Sequence, residues 1–136
     1  MKDDIFAPRV KNVKQEKTAS RPPEYSEWHR TLGKEFLATD IDFVEYRVGR
    51  GIVAVIGVTG QMDDENHMVN SRKYIWQRTE VERKIMVTIS ESLSVPTYYV
   101  FHTKGMNMFH VFDLLRSLDK PRRMTIEQFS EFIKTL

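Results

Sequence analysis

The sequence predicts an α/β domain built on a central mixed β-sheet of about four strands flanked by helices. Three observations point there. The run IVAVIGVT at 52–59 is almost continuously apolar and is bounded by Gly51 and Gly60, which marks a central strand covered on both faces. Helix-like and strand-like segments alternate in the order helix, strand, strand, helix, strand, strand, helix. The 136 residues are 40% hydrophobic and 29% charged, enough for one soluble globular domain with a core of ordinary size.

The elements follow in order. In PEYSEWHRTLGKEFLAT, Tyr25, Trp28, Leu32 and Phe36 recur at three- and four-residue intervals, which predicts one face of a helix. Pro22 and Pro23 suit its start, where the first-turn N–H groups lack partners anyway. DIDFVEYRV is rich in β-branched and aromatic residues and predicts a strand, with the turn supplied by GRG at 49–51. The apolar strand comes next, followed by a polar loop, QMDDENHMVNS, in which the charge run Asp63, Asp64 and Glu65 reads as solvated. A long helix is expected over about 71–94, capped by Asn70 or Ser71, with Pro96 just beyond its end. TYYVFHT at 97–103 predicts a third strand and MFHVFDL at 108–114 a fourth, before a basic turn, DKPRRM. Thr125 and Gln128 stand in capping-box spacing, and Ile126, Phe129, Phe132 and Ile133 form an apolar stripe, so the last segment reads as a docked helix.

Charge and composition set limits on function. No apolar run approaches the roughly 20 residues of a membrane helix. The opening MKDDIFAPRV carries charge where a targeting segment would be apolar. Zero cysteines exclude disulfides and thiolate metal sites and suit a reducing, intracellular (cytoplasmic) setting. Residues 1–23 hold Lys2, Arg9, Lys11, Lys14, Lys17 and Arg21 against Asp3, Asp4 and Glu16, and read as a flexible basic arm ahead of a single domain over 24–136. His29, His67, His102 and His110 lack zinc-site spacing, and no glycine-rich phosphate loop or nucleophile elbow is present. No small-molecule cofactor is expected.

At WHR…DIDFVEYR…VAVI the chain resembles the PD-(D/E)XK nuclease superfamily, the restriction-endonuclease-like fold, over about residues 24–101. That family carries a glutamate on its first helix, an aspartate at a strand, E-x-K on the next strand and a polar residue on the helix that follows. The chemistry is phosphodiester hydrolysis, in which Mg²⁺ or Mn²⁺ steadies phosphate charge and activates a water. Mg²⁺ takes one or two carboxylates and keeps several waters. Glutamate and lysine two apart on a strand share a face.

The resemblance implies roles residue by residue. Asp42 matches the strand aspartate and metal ligand, with Asp40 as a competitor on the same face. Glu24 or Glu27 matches the first-helix glutamate, and Gln77 the polar residue of the later helix. Gly57 falls at the glutamate of E-x-K and Thr59 at its lysine, so neither supplies charge and the motif is degenerate. Glu45, on the neighbouring strand, is a compensating ligand if hydrolysis survives. Around this site Arg47, Arg50, Arg72, Lys73, Arg78, Lys120, Arg122 and Arg123 are expected to line one rim of a groove and contact phosphates. Tyr25, Trp28, Tyr74, Trp76, Tyr98 and Tyr99 read mostly as core, and for Trp76, next to Gln77, an exposed ring on which a base stacks is the lesser alternative.

The leading functional expectation is therefore a nuclease-fold, DNA-associated protein with a degraded hydrolytic site, acting as a nucleic-acid-binding or accessory subunit. The alternatives are an active Mg²⁺- or Mn²⁺-dependent endodeoxyribonuclease with relocated ligands, or an interaction module that keeps only the scaffold. A homodimer is expected by analogy with small nucleases of the fold.

Overall fold

The computed structural model describes residues 23–136, with the side chains of 117–119 left aside. The expected arm over residues 1–23 lies outside the described residues except for Pro23, which opens the first helix. The chain divides between Ala38 and Thr39 into two compact units.

In the first unit, α1 (Pro23–Arg30) is shorter than its apolar repeat predicts. Thr31 Oγ1 donates to Trp28 O at 2.6 Å, and Gly33 adopts φ +119°, a backbone state open to glycine and strained for other residues, so the helix stops there. Tyr25 and Trp28 touch one another, with ring centroids 5.3 Å apart, yet both remain more than half exposed.

The second unit is a five-stranded mixed sheet with helices on both faces. Its strands are β1 (Phe43–Arg47), β2 (Gly51–Met62), β3 (Thr97–Thr103), β4 (Met108–Asp113) and β5 (Ser117–Thr125), adjacent in chain order. All neighbouring pairs are antiparallel except β2 and β3, which run parallel. A parallel pair needs a crossover, and α2 (Glu65–Arg78) and α3 (Glu80–Leu93) supply it. Met68 of α2 and Met86 of α3 pack down onto Val55, Tyr99, Phe101 and Phe112 of the sheet. Alternate residues of the same strands, Ala54, Ile56, Val100, Phe109 and Val111, turn to the other face. There α4 (Ile126–Lys134) covers them, its Phe129 ring stacked on Phe109 at 4.3 Å. The capping box is formed: Thr125 Oγ1 accepts from Gln128 N, and Gln128 Oε1 accepts from Thr125 N.

Three expectations are corrected. The crossover is two helices, because Thr79 sits at φ −104°, ψ 16° and serves both: its N–H and Oγ1 donate to Ile75 O, and its carbonyl accepts from Arg83 N. The first of them starts six or seven residues earlier than expected, because Asp64 Oδ1 accepts from His67 N and caps it, leaving Asn70 and Ser71 inside the helix. DKPRRM is part of a fifth strand, not a turn; Pro121 is tolerated because β5 is an edge strand with one side free of ladder bonds. No helix among the described residues is long and apolar enough to cross a membrane.

Candidate functional site

The β1–β2 register fixes the geometry. Phe43 lies opposite Ile56, so Asp42, one residue earlier, reaches the far end of β2, and its Oδ2 accepts from Val58 N at 2.8 Å. Gly57 and Thr59 point to the α3 side, where Gly57 is the direct neighbour of Tyr99 across the parallel ladder. The Tyr99 ring leans over the glycine: a Cβ at 57 would stand 2.8 Å from Tyr99 Cε2 and 3.2 Å from Met86 Sδ. The Tyr99 hydroxyl completes the arrangement with a 2.7 Å hydrogen bond to Thr59 Oγ1. Asp42 thus lies beside the stretch of β2 that holds Gly57 and Thr59, and the hollow over Gly57 is filled by the Tyr99 ring.

Two charged groups from α3 border the same place. Burial pushes the Glu82 carboxyl above its ordinary range, and the negative charge of Asp42 pushes it further. Burial likewise raises the Tyr99 phenol, against its bond to Thr59, and the charges of Glu82 and Asp42 add to the rise. Arg83 lies 3.9 Å over the Trp76 ring, with Nε bonded to Thr79 Oγ1 and Nη2 to Trp76 O. Burial lowers its pKa, while Glu80, Tyr99 and Glu82 pull the other way.

Of the remaining sequence candidates, Glu45 goes elsewhere within the second unit. Glu45 accepts from Arg47 Nη1 at 2.9 Å, and Arg47 reaches on to Ile133 O, so this carboxylate serves the α4 end of the sheet rather than the hollow. Glu24 and Glu27 are exposed on α1, in the first unit. Asp40 is exposed two residues before Asp42. Gln77 is exposed on α2 and lines an open cavity of about 840 Å³ with Trp76, Glu80, Arg83 and Lys84.

The basic residues divide among several places instead of forming one rim. Arg47 and Arg50 donate to Ile133 O and Leu136 O beside the end of α4. Arg122 lies over the Phe132 ring on the α4 face, and Lys120 is exposed on the same strand. Arg123 faces the opposite way and makes a two-pronged bond to Glu65, at 2.7 and 3.0 Å. Glu65 also accepts from Nε2 of buried His110 at 2.8 Å, and the Nδ1 of that ring accepts from Arg72 at 3.0 Å. Bonds from Arg123 first and His110 second hold the Glu65 carboxyl at about 2. Arg72 and Arg123 are therefore engaged in bracing the start of α2 to the sheet. Lys73 and Arg78 are exposed on α2.

The donor set fits a catalytic divalent ion poorly. Position 57 offers no side-chain oxygen, the space above it holds a ring, and Asp42 already spends one oxygen on a backbone N–H. Among the described residues no group of three or more histidines and carboxylates is placed to hold a metal. No family model matches the chain, and no curated protein or solved structure matches it significantly.

Sequence reasoning missed Glu82, Arg83 and Tyr99 as members of this site. Glu82 and Asp42 are 40 residues apart in the chain, and the crossover that returns α3 over the sheet brings them within electrostatic reach.

Proposed function

We propose that this chain is a nuclease-like, nucleic-acid-binding protein in which the hydrolytic site has closed, acting as an accessory component of DNA processing. One observation carries the reading: Tyr99 occupies the space in which an E-x-K glutamate would stand, and its hydroxyl engages the residue at the lysine position. The loss at 57 and 59 is thus more than two missing charges. The space has been refilled at interior density, as expected of a position held for packing rather than for a metal and its waters. Purified protein incubated with labelled single-stranded, duplex and junction DNA, with and without Mn²⁺, is expected to retard DNA without cutting it. Metal-dependent cleavage that disappears in Asp42→Ala would overturn the proposal.

A second reading, an active Mg²⁺- or Mn²⁺-dependent endodeoxyribonuclease with relocated ligands, has one observation in its favour. Asp42 and Glu82 are close enough for one charge to raise the carboxyl of the other, and a shared cation would relieve that repulsion. Glu82 would then replace Glu45, Glu24 and Glu27 as the partner ligand. Under this reading Mn²⁺ raises the melting temperature of the wild type but not of Asp42→Asn or Glu82→Gln. Equal responses in all three would remove it.

A further inference from the structure

The outer face of α2 has an unusual surface. Asn66, Asn70, Lys73, Tyr74, Gln77 and Arg78 are all exposed and recur at three- and four-residue spacing along one side of the helix. After Glu65 in the first turn, no carboxylate occurs in the sequence from 66 to 79, so α2 itself sets no acid among the cations and amides of this face, and Glu80 stands beyond its end, beside Gln77. Tyr74 stands out from it, 62% exposed, and Arg78 lies against its ring with the guanidinium carbon 5.3 Å from the centroid. A tyrosine steadied on one side by arginine presents its other side as a flat π surface. The inner face of the same helix is spoken for: Trp76 packs on Tyr99, Phe101 and Phe112, and Arg72 on Phe112 and His110.

We infer that this outer face binds single-stranded nucleic acid, with a base stacked on Tyr74 and flanking phosphates held by Lys73 and Arg78. The inference rests on the nucleic-acid reading above and deepens it by naming the strandedness and the surface. Lys73 and Arg78, on a helix that sets no carboxylate between them, favour a polyanion. An exposed ring between them favours one whose bases are open, because a duplex keeps its π faces stacked inside. Exposed amides such as Asn70 and Gln77 bond to phosphate, sugar or base edges alike, which suits sequence-tolerant binding.

The test is fluorescence anisotropy of 5′-labelled oligo(dT) with the full chain, at low and at moderate salt. Tyr74→Ala is expected to weaken binding by about 5- to 100-fold and Tyr74→Phe by no more than about 3-fold, since the ring and not the hydroxyl does the stacking. The pair Lys73→Ala/Arg78→Ala is expected to flatten the dependence of log affinity on log salt by about 1.4, from two lost single-strand phosphate contacts. All three positions are solvent-exposed, so melting temperatures should match the wild type, and measuring them separates lost binding from lost fold. If the wild type binds oligo(dT) and Tyr74→Ala binds equally well, the surface assignment is wrong while the nucleic-acid reading stands. A preference for duplex that is unmoved by Tyr74→Ala overturns the single-strand assignment. If the wild type binds no DNA or RNA at low salt, both readings fall.

Discussion

Tyr99 stands where a side chain at residue 57 would have to begin. A Cβ built on Gly57 would lie 2.8 Å from Tyr99 Cε2 and 2.9 Å from Cδ2, closer than real carbon contacts allow. Restoring the motif by Gly57→Glu and Thr59→Lys alone therefore drives a carboxylate into a filled interior. We expect that double variant to lose at least about 1–3 kcal/mol of stability through overpacking and to cut no DNA. Adding Tyr99→Ala vacates the space, and the triple variant is the one in which Mn²⁺-dependent cleavage is worth assaying. Cleavage by the double variant with an undiminished melting temperature would show that Tyr99 does not block the position.

Glu82 gives a prediction with a defined pH window. Burial first and the Asp42 charge second raise its carboxyl above the ordinary 4.5, so its ionised form is disfavoured in the folded protein. A raised carboxyl leaves the fold most stable below the unfolded value and less stable as pH rises through the folded one. Glu82→Gln should therefore melt at or above the wild-type temperature at pH 7, and its advantage should vanish below about pH 4.5. A fall of several degrees at pH 7 would show that the ionised carboxylate is held by favourable bonds.

The brace of Glu65, His110 and Arg123 has the opposite sign. The Glu65 carboxyl is depressed to about 2, by Arg123 first and His110 second. Its contribution is present above the ordinary 4.5 and is lost as pH falls through the folded value of about 2. Arginine can only donate and a carboxylate can only accept, so in this brace the His110 ring takes a bond from Arg72 at Nδ1 and gives one to Glu65 from Nε2. Glu65→Gln should lower the melting temperature at pH 7, chiefly by weakening the bond to buried His110, since Arg123 is exposed and finds water in place of the carboxylate. It should also remove much of the decline in thermal stability between about pH 4.5 and 2. An unchanged acid limb in Glu65→Gln would argue against the brace.

At α4 the capping box makes a simpler claim. Thr125→Ala removes the oxygen that accepts from Gln128 N and should destabilise the unit by about 1 kcal/mol, read as a lower urea midpoint at unchanged slope. Thr125→Asn, which keeps a capping oxygen, should recover most of that loss.

Local signals were legible in the sequence and lateral ones were not. The apolar runs of β2 and β3 and the Thr125–Gln128 box depend on residues close in the chain, and each formed as read. The fifth strand escaped because DKPRRM offers no apolar alternation; β5 is held by pairing with β4 rather than by its own propensity. The break at Thr79 escaped because a single threonine in a helix-forming stretch carries no breaker signal, and it acts here through the bonds it makes with Ile75 and Arg83. At the site, Asp42, Gly57 and Thr59 could be aligned by hairpin register alone. Tyr99 and Glu82 arrive from strands and helices beyond the crossover, and no spacing along the chain encodes which large side chain leans over which glycine. Tyr74, read as core, is exposed while Trp76 packs inward for a related reason: two residues apart on a helix face opposite ways, and the sheet determined which way was inward.

The bonds from Arg47 to Ile133 O and from Arg50 to Leu136 O each join positions 86 residues apart. They stitch the earliest hairpin of the sheet to its latest helix, and that helix is also the cover for Ile56, Val100, Phe109 and Val111. On a translating ribosome the five strands emerge before this cover does. A chain whose strands have emerged while residues 126–136 are still inside the ribosome thus presents an uncovered greasy sheet surface to chaperones and to its neighbours. Resistance to proteases should appear late and abruptly, once the segment 126–136 has cleared the exit tunnel.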